Sequence, residues 1–324
     1  MKHKKSYQII LLVFVYNFSF AQSEDLTKYL PEVRAINKVA ATLPQFDLST
    51  PEKIAKSRVL FYKPVKTVLT PRDSVIDNIS VRIFRPDTIL AVVMEIHGGG
   101  WCVGSAKEDD QQNDVLARTC KVAVVSVDYR LSPENVYPAQ VDDCENILLW
   151  LLKNVRSRFG VEKIILSGES AGANLATLIL IRSRNKQVNI KNIIGINLFY
   201  GAFDISGTPS SRLSDTNAIF ISKKVLHQFY EKTFPNKSLE QLRDPTISPL
   251  FANLNGLPPA FFSVGGLDPL LDDSRFMASR WESSGNQSIL KIYPECPHAF
   301  NKLPTKMANV VNNNVYKWII DLLR

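Results

Sequence analysis

From Ala91 to Ile96 and again from Val122 to Val127 the chain is almost wholly apolar, the pattern of strands buried on both faces of a parallel sheet. Shorter runs of the same kind recur at Ile79 to Phe84, Ile164 to Leu166, Ile193 to Phe199, Ala260 to Val264 and Ile289 to Tyr293. Between them the period changes. Residues Ala139 to Phe159 place Val141, Cys144, Leu148, Leu151, Leu152 and Val155 on one stripe, which predicts a long helix with one buried face. Further helices are expected from Ala173 to Arg182, after Asp272 and at the C-terminus. Strands alternating with helices predict an α/β fold, a mostly parallel sheet covered on both faces.

Two segments depart from this rhythm. Residues 24 to 57 carry Leu26, Tyr29, Leu30, Val33, Ile36, Val39 and Ala40 at helical spacing, broken by Pro44 and Pro51, and predict a helical arm. Asp204 to Leu257 has no strand pattern and one helix signal, Ser222 to Phe234, and reads as an insertion between core strands. The expected organisation is one domain over residues 22–324, with a helical cap from about 22–60 and 204–257.

The first 21 residues differ again. Lys2, Lys4 and Lys5 precede an apolar run from Ile9 to Val15, and Ser19-Phe20-Ala21 ends it with small residues, which predicts a signal peptide cut before Gln22 and an exported, periplasmic or secreted protein. The apolar run is far below the ~20 residues that span a bilayer, so no stable membrane anchor is expected. The formal charge of +8 falls to +5 without those lysines, 36 cations facing 31 anions, and no dense basic tract is present to follow a phosphate backbone. Nucleic acid is therefore not an expected partner. Four cysteines are too few for a disulfide framework and fit no zinc spacing. Cys120 and Cys144 lie in apolar stretches, while Cys102 and Cys296 adjoin the motifs below and are the pair open to bridging.

Gly168-Glu169-Ser170-Ala171-Gly172 stands between a strand pattern and a helix pattern, the setting of a sharp turn that lifts a serine above the end of a sheet. His97-Gly98-Gly99-Gly100-Trp101 follows the strand at 91–96, and a loop so rich in glycine can turn backbone N–H groups toward one point. A serine needs a base. Of four histidines, His3 leaves with the leader, His97 opens the glycine loop and His227 lies within the insertion helix, leaving His298 in the loop after a core strand. Asp268, just past the strand at 260–264, lies between serine and histidine in the order such a triad requires, whereas Asp272 and Asp273 begin a helix and read as caps.

HGGGW, Asp128-Tyr129-Arg130-Leu131-Ser132-Pro133-Glu134 with Tyr137-Pro138-Ala139, GESAG, DPLLDD and PHAF together resemble, in order and spacing, the hormone-sensitive-lipase-like family of α/β-hydrolases over roughly residues 70 to 324. The resemblance implies the α/β-hydrolase fold, a carboxylesterase acting on a small-molecule ester, and no metal or organic cofactor. It implies Ser170, Asp268 and His298 as the triad, Gly99, Gly100 and Ala171 as oxyanion donors, and Trp101 beside the substrate. Glu169 and Ala173 depart from the family's usual GDSAGG. Short acyl esters are the expected substrates. An amidase or formamidase with the same triad and a non-catalytic ligand-binding member of the fold are the alternatives, and oligomeric state is not readable.

Overall fold

The computed structural model describes residues 25–215 and 218–324, so the predicted leader at 1–21 lies outside the described residues. Helices α1 (Leu30–Ala40) and α2 (Pro51–Arg58) precede a hairpin of β1 (Arg72–Ile76) and β2 (Ile79–Phe84). The core then alternates: β3 (Ala91–Ile96), α3 (Asp110–Cys120), β4 (Val122–Asp128), α4 (Ala139–Phe159), β5 (Ile164–Glu169), α5 (Ala171–Asn185) and β6 (Ile193–Phe199). Short α6 (Pro209–Leu213), α7 (Lys223–Thr233) and short α8 (Leu239–Leu242) interrupt it, before β7 (Ala260–Gly265), α9 (Leu271–Ser283), β8 (Ser288–Tyr293) and α10 (Lys306–Leu323) complete it.

The strands form one sheet in the order β1-β2-β4-β3-β5-β6-β7-β8. The β1–β2 and β2–β4 pairs are antiparallel, and every other pair is parallel. Alternate residues of β3 separate the two cores. Val92 and Met94 join α4 and α5 through Leu148, Leu151 and Leu178, whereas Val93 joins α3 and α10 through Leu116, Met307 and Val311. Full burial of each such side chain contributes about 1.5–3 kcal/mol. From β3 the chain first winds outward to β4, then returns to β5 on the other side of β3. Such a reversal opens a crevice at the carboxyl ends of β3 and β5, and the loops carrying HGGGW and GESAG both start there.

Besides the short α6 and α8, two elements escaped the hydrophobic pattern. The edge strand β1 is mostly solvated, Val75 included. Helix α3 buries polar groups at its start and Leu116, Ala117 and Cys120 only in its second half: Asp110 takes two hydrogen bonds from Arg82 at 2.5 and 2.7 Å, and Asp114 accepts from the backbone N–H of Val68 and Leu69 at 3.3 and 2.8 Å. All four cysteines are buried free thiols, so no bridge joins Cys102 to Cys296.

Candidate active site

Ser170 caps the end of β5 with φ 52° and ψ −115°, a conformation that costs a non-glycine residue about 1–3 kcal/mol. Close packing holds it. A Cβ on Gly172 would stand 2.0 Å from the Ile96 carbonyl oxygen, so α5 can start against the end of β3 only with glycine there. The Ser170 N–H donates to the Phe199 carbonyl at 2.9 Å, and its own carbonyl accepts from the N–H of Ala173 and Asn174 at 3.1 and 3.2 Å.

Asp268 and His298 reach this serine from the loops after β7 and β8. His298 Nε2 lies 3.0 Å from Ser170 Oγ, and Nδ1 lies 2.9 and 3.1 Å from the two oxygens of Asp268. The Asp268 side chain is fully buried, and its Oδ1 also accepts the Leu270 N–H at 2.8 Å. Tyr200 supports the imidazole from beside it, the ring centroids 4.6 Å apart. The other described histidines lie elsewhere. His227 is exposed beside Glu231. His97 is buried and stacked on Tyr129, and burial lowers its pKa to about 4 and keeps the ring neutral.

Asp272 and Asp273 do not cap their own helix. Asp273 accepts the N–H of Phe203 and Asp204 at 2.7 and 2.9 Å, and Asp272 accepts that of Ser210 at 2.9 Å. Both carboxylates thus tether the start of the insertion. Their spacing at a helix start matched a capping pattern because long-range acceptors leave no local signature.

The glycine loop lies directly against the serine: a Cβ on Gly98 would sit 3.5 Å from Ser170 Cβ. The N–H groups of Cys102 and Val103 both close on the Gly99 carbonyl at 3.1 and 3.0 Å, and Tyr129 Oη donates to the His97 carbonyl at 3.0 Å. Among the described residues no acceptor takes the Gly99 or Gly100 N–H. Ala171 is the first residue of α5, where backbone N–H groups have no intrahelical partner.

Arm and insertion meet above this loop. The Phe229 ring of α7 rests on Gly100, where a Cβ would come within 2.3 Å of it, and Phe46 of the arm packs 5.7 Å from Phe229. The Leu48 N–H donates to Gln228 Oε1 at 2.8 Å. Arg58 of α2 donates to the carbonyls of Cys102 and Ser132 at 2.9 and 3.1 Å and pairs with Glu134. Trp101, expected beside the substrate, is buried under the insertion, its ring 5.3 Å from Phe234 and 6.0 Å from Tyr230. Phe229 and Tyr200 went unnoticed in the sequence. Phe229 does carry a signal, since Val225, Leu226 and Phe229 share the buried face of α7. Among the described residues no group of three His, Cys, Asp or Glu side chains is placed to hold a metal, and no helix is long and apolar enough to cross a membrane.

The profile of a family with the α/β-hydrolase fold matches residues 93–302. The chain is 29% identical over 230 residues to an acetyl esterase of Salmonella schwarzengrund, and 30% identical over 227 residues to one of Salmonella paratyphi A; each match covers 69% of both chains. A hyperthermophilic esterase of the archaeon Pyrobaculum calidifontis superposes with a TM-score of 0.81 at 28% identity, covering 90% of this chain and 98% of that one. A hormone-sensitive lipase from a metagenome library superposes with a TM-score of 0.79 at 25% identity, covering 91% and 98%. With the sheet order, the two loops at its switch point and these likenesses together, the chain is an α/β-hydrolase of the hormone-sensitive-lipase-like esterase family.

Proposed function

We propose that the protein hydrolyses short-chain acyl esters through an acyl-enzyme formed on Ser170. The observation that carries this reading is the continuous hydrogen-bonded line from Ser170 Oγ through His298 to the buried Asp268. As Ser170 Oγ bonds to the ester carbonyl carbon, His298 Nε2 takes its proton, and Asp268 holds the Nδ1 proton and stabilises the imidazolium. The N–H groups of Gly99, Gly100 and Ala171 receive the oxyanion, preorganised for the charge that develops there. Collapse breaks the bond to the alkoxy group, which leaves as alcohol with the proton from His298. Water then adds to the acyl carbon, giving its proton to His298, and the acid departs as Ser170 recovers that proton.

Two features support a small acyl group. The Phe229 ring lies on Gly100, limiting the space above the proposed oxyanion donors. Relatives of similar sequence are acetyl esterases. Treatment with a small organophosphonate should place the label on Ser170, and Ser170→Ala should abolish both labelling and turnover of p-nitrophenyl acetate while the protein stays folded. Undiminished turnover by Ser170→Ala ends this reading.

A further inference from the structure

Three segments of the site meet at one ammonium group. Lys302 lies four residues beyond His298, in the short turn Phe300–Lys302 before α10. Its Nζ lies 2.6 Å from Oε2 of Glu169, the residue before Ser170, and also bonds Oδ1 of Asp109, on the segment that leads out of the glycine loop into α3. Both carboxylates are buried, while Lys302 keeps 30% of its side-chain surface in solvent, so its stem enters from outside and its charge ends inside. The adjacent Asn301 donates from Nδ2 to the other Glu169 oxygen at 3.0 Å and accepts from Tyr200 Oη, whose ring stands beside His298.

Taking Ser170 and His298 as the reacting pair, we infer that Lys302 is a positioning residue that clamps the base loop, the nucleophile elbow and the exit of the oxyanion loop in register. Desolvation opposes the ammonium, but the charges of Asp109 and Glu169 outweigh it and hold the group above the usual lysine range. Glu95, facing the same cluster, is pushed well above the usual carboxylate range by burial, then by Asp109 and Glu169. Two carboxylates therefore share one cation, whose removal leaves them facing each other unscreened. Misplacement of a reacting group by about 1 Å costs on the order of 100-fold in rate, which makes a clamp at this point consequential.

The test is Lys302→Met in the full-length protein, with Lys302→Arg as the conservative partner. Read out kcat and KM for p-nitrophenyl butyrate, the rate constant for phosphonylation of Ser170, the titratable fraction of sites and the unfolding midpoint. Lys302→Met should lower kcat per titrated site about 10- to 100-fold, slow phosphonylation by a similar factor, and change KM by less than about threefold. Lys302→Arg should restore most of the loss, since a guanidinium can still span two carboxylates. Loss confined to the titratable fraction, with wild-type kcat and labelling rate per site, would reveal a merely structural lysine and overturn the inference. If Lys302→Met does not fold, Asp109→Asn serves, leaving the Lys302–Glu169 pair intact; it should lower kcat about fivefold, and a wild-type value would again overturn the inference. Failure of the esterase reading itself is distinguishable, because phosphonate would then miss Ser170 in the unaltered protein.

Discussion

Replacing Asp268 by Asn exchanges one carboxylate oxygen for an NH2 group and should nearly silence the enzyme, for a reason set by one backbone amide. The Leu270 N–H donates to Asp268 Oδ1 at 2.8 Å, so in Asp268→Asn the amide oxygen must take that position to keep the buried N–H paired. The amide NH2 then occupies the Oδ2 position, now 2.9 Å from His298 Nδ1. A donor at this nearer position favours an accepting Nδ1 over the longer 3.1 Å contact with the Oδ1 position, which moves the imidazole proton to Nε2, 3.0 Å from Ser170 Oγ. In that tautomer the histidine cannot take the serine proton. Wrong-tautomer variants of such triads lose about 10⁴-fold, or about 5 kcal/mol of transition-state stabilisation. The check is kcat/KM for p-nitrophenyl acetate at neutral pH, with the unfolding midpoint measured alongside. A loss under about tenfold in a folded Asp268→Asn protein would refute the assignment of Asp268 as the orienting carboxylate.

The unaltered protein should turn over acetyl to roughly hexanoyl esters best, and Phe229→Ala should shift the optimum to longer chains by up to about fourfold per added methylene accommodated, from about 0.8 kcal/mol each. Faster hydrolysis of palmitoyl than butyryl esters before any mutation would sink the short-acyl reading, and an unmoved optimum in Phe229→Ala would remove Phe229 from the acyl wall. A third expectation concerns pH and stability: burial is the main cause pushing the Asp273 carboxyl up to about 7 despite its hydrogen bonds from Thr208, Asp204 and Phe203. A carboxyl whose pKa is raised by folding favours the protonated native state, so its contribution is full below the unfolded value near 3.8 and is lost as pH rises through 7. Urea unfolding should therefore show a decline on the order of 2–4 kcal/mol between pH 4 and 8 that Asp273→Asn lacks, and equal slopes in the two proteins would contradict it.

The residues legible in the sequence share a physical property: each owes its place to its own chain neighbourhood. Ser170 needs glycines two residues either side, Asp268 follows a strand that ends at Gly265, and His298 follows another strand, so local order places all three at one edge of a parallel sheet. Parallel strands all end on the same side, and loops after β3, β5, β7 and β8 must therefore converge once the alternation of strand and helix is recognised. Polar residues buried by distant partners leave no such trace. The buried face of α3 is apolar only from Leu116 onward, because Asp110 and Asp114 at its start are satisfied by Arg82 and by the backbone at 68–69. Asp272 and Asp273 imitate caps while serving the insertion. The same applies across the sheet, where Ser126, Glu95, Ser167 and Asn197 occupy matched positions on β4, β3, β5 and β6 and form a polar row inside otherwise apolar strands. Each looks like an interruption in its own strand. Only the register joins them, through the Ser126 to Glu95 and Asn197 to Ser167 hydrogen bonds, both 3.1 Å. That row faces the same layer as Glu169, because residues 167 and 169 point to one side of β5. Polar groups are costly to bury without partners. Their concentration beneath the elbow, beside Lys302, Asp109 and Glu169, is the feature hydrophobic periodicity could not supply: a polar floor under the strained Ser170.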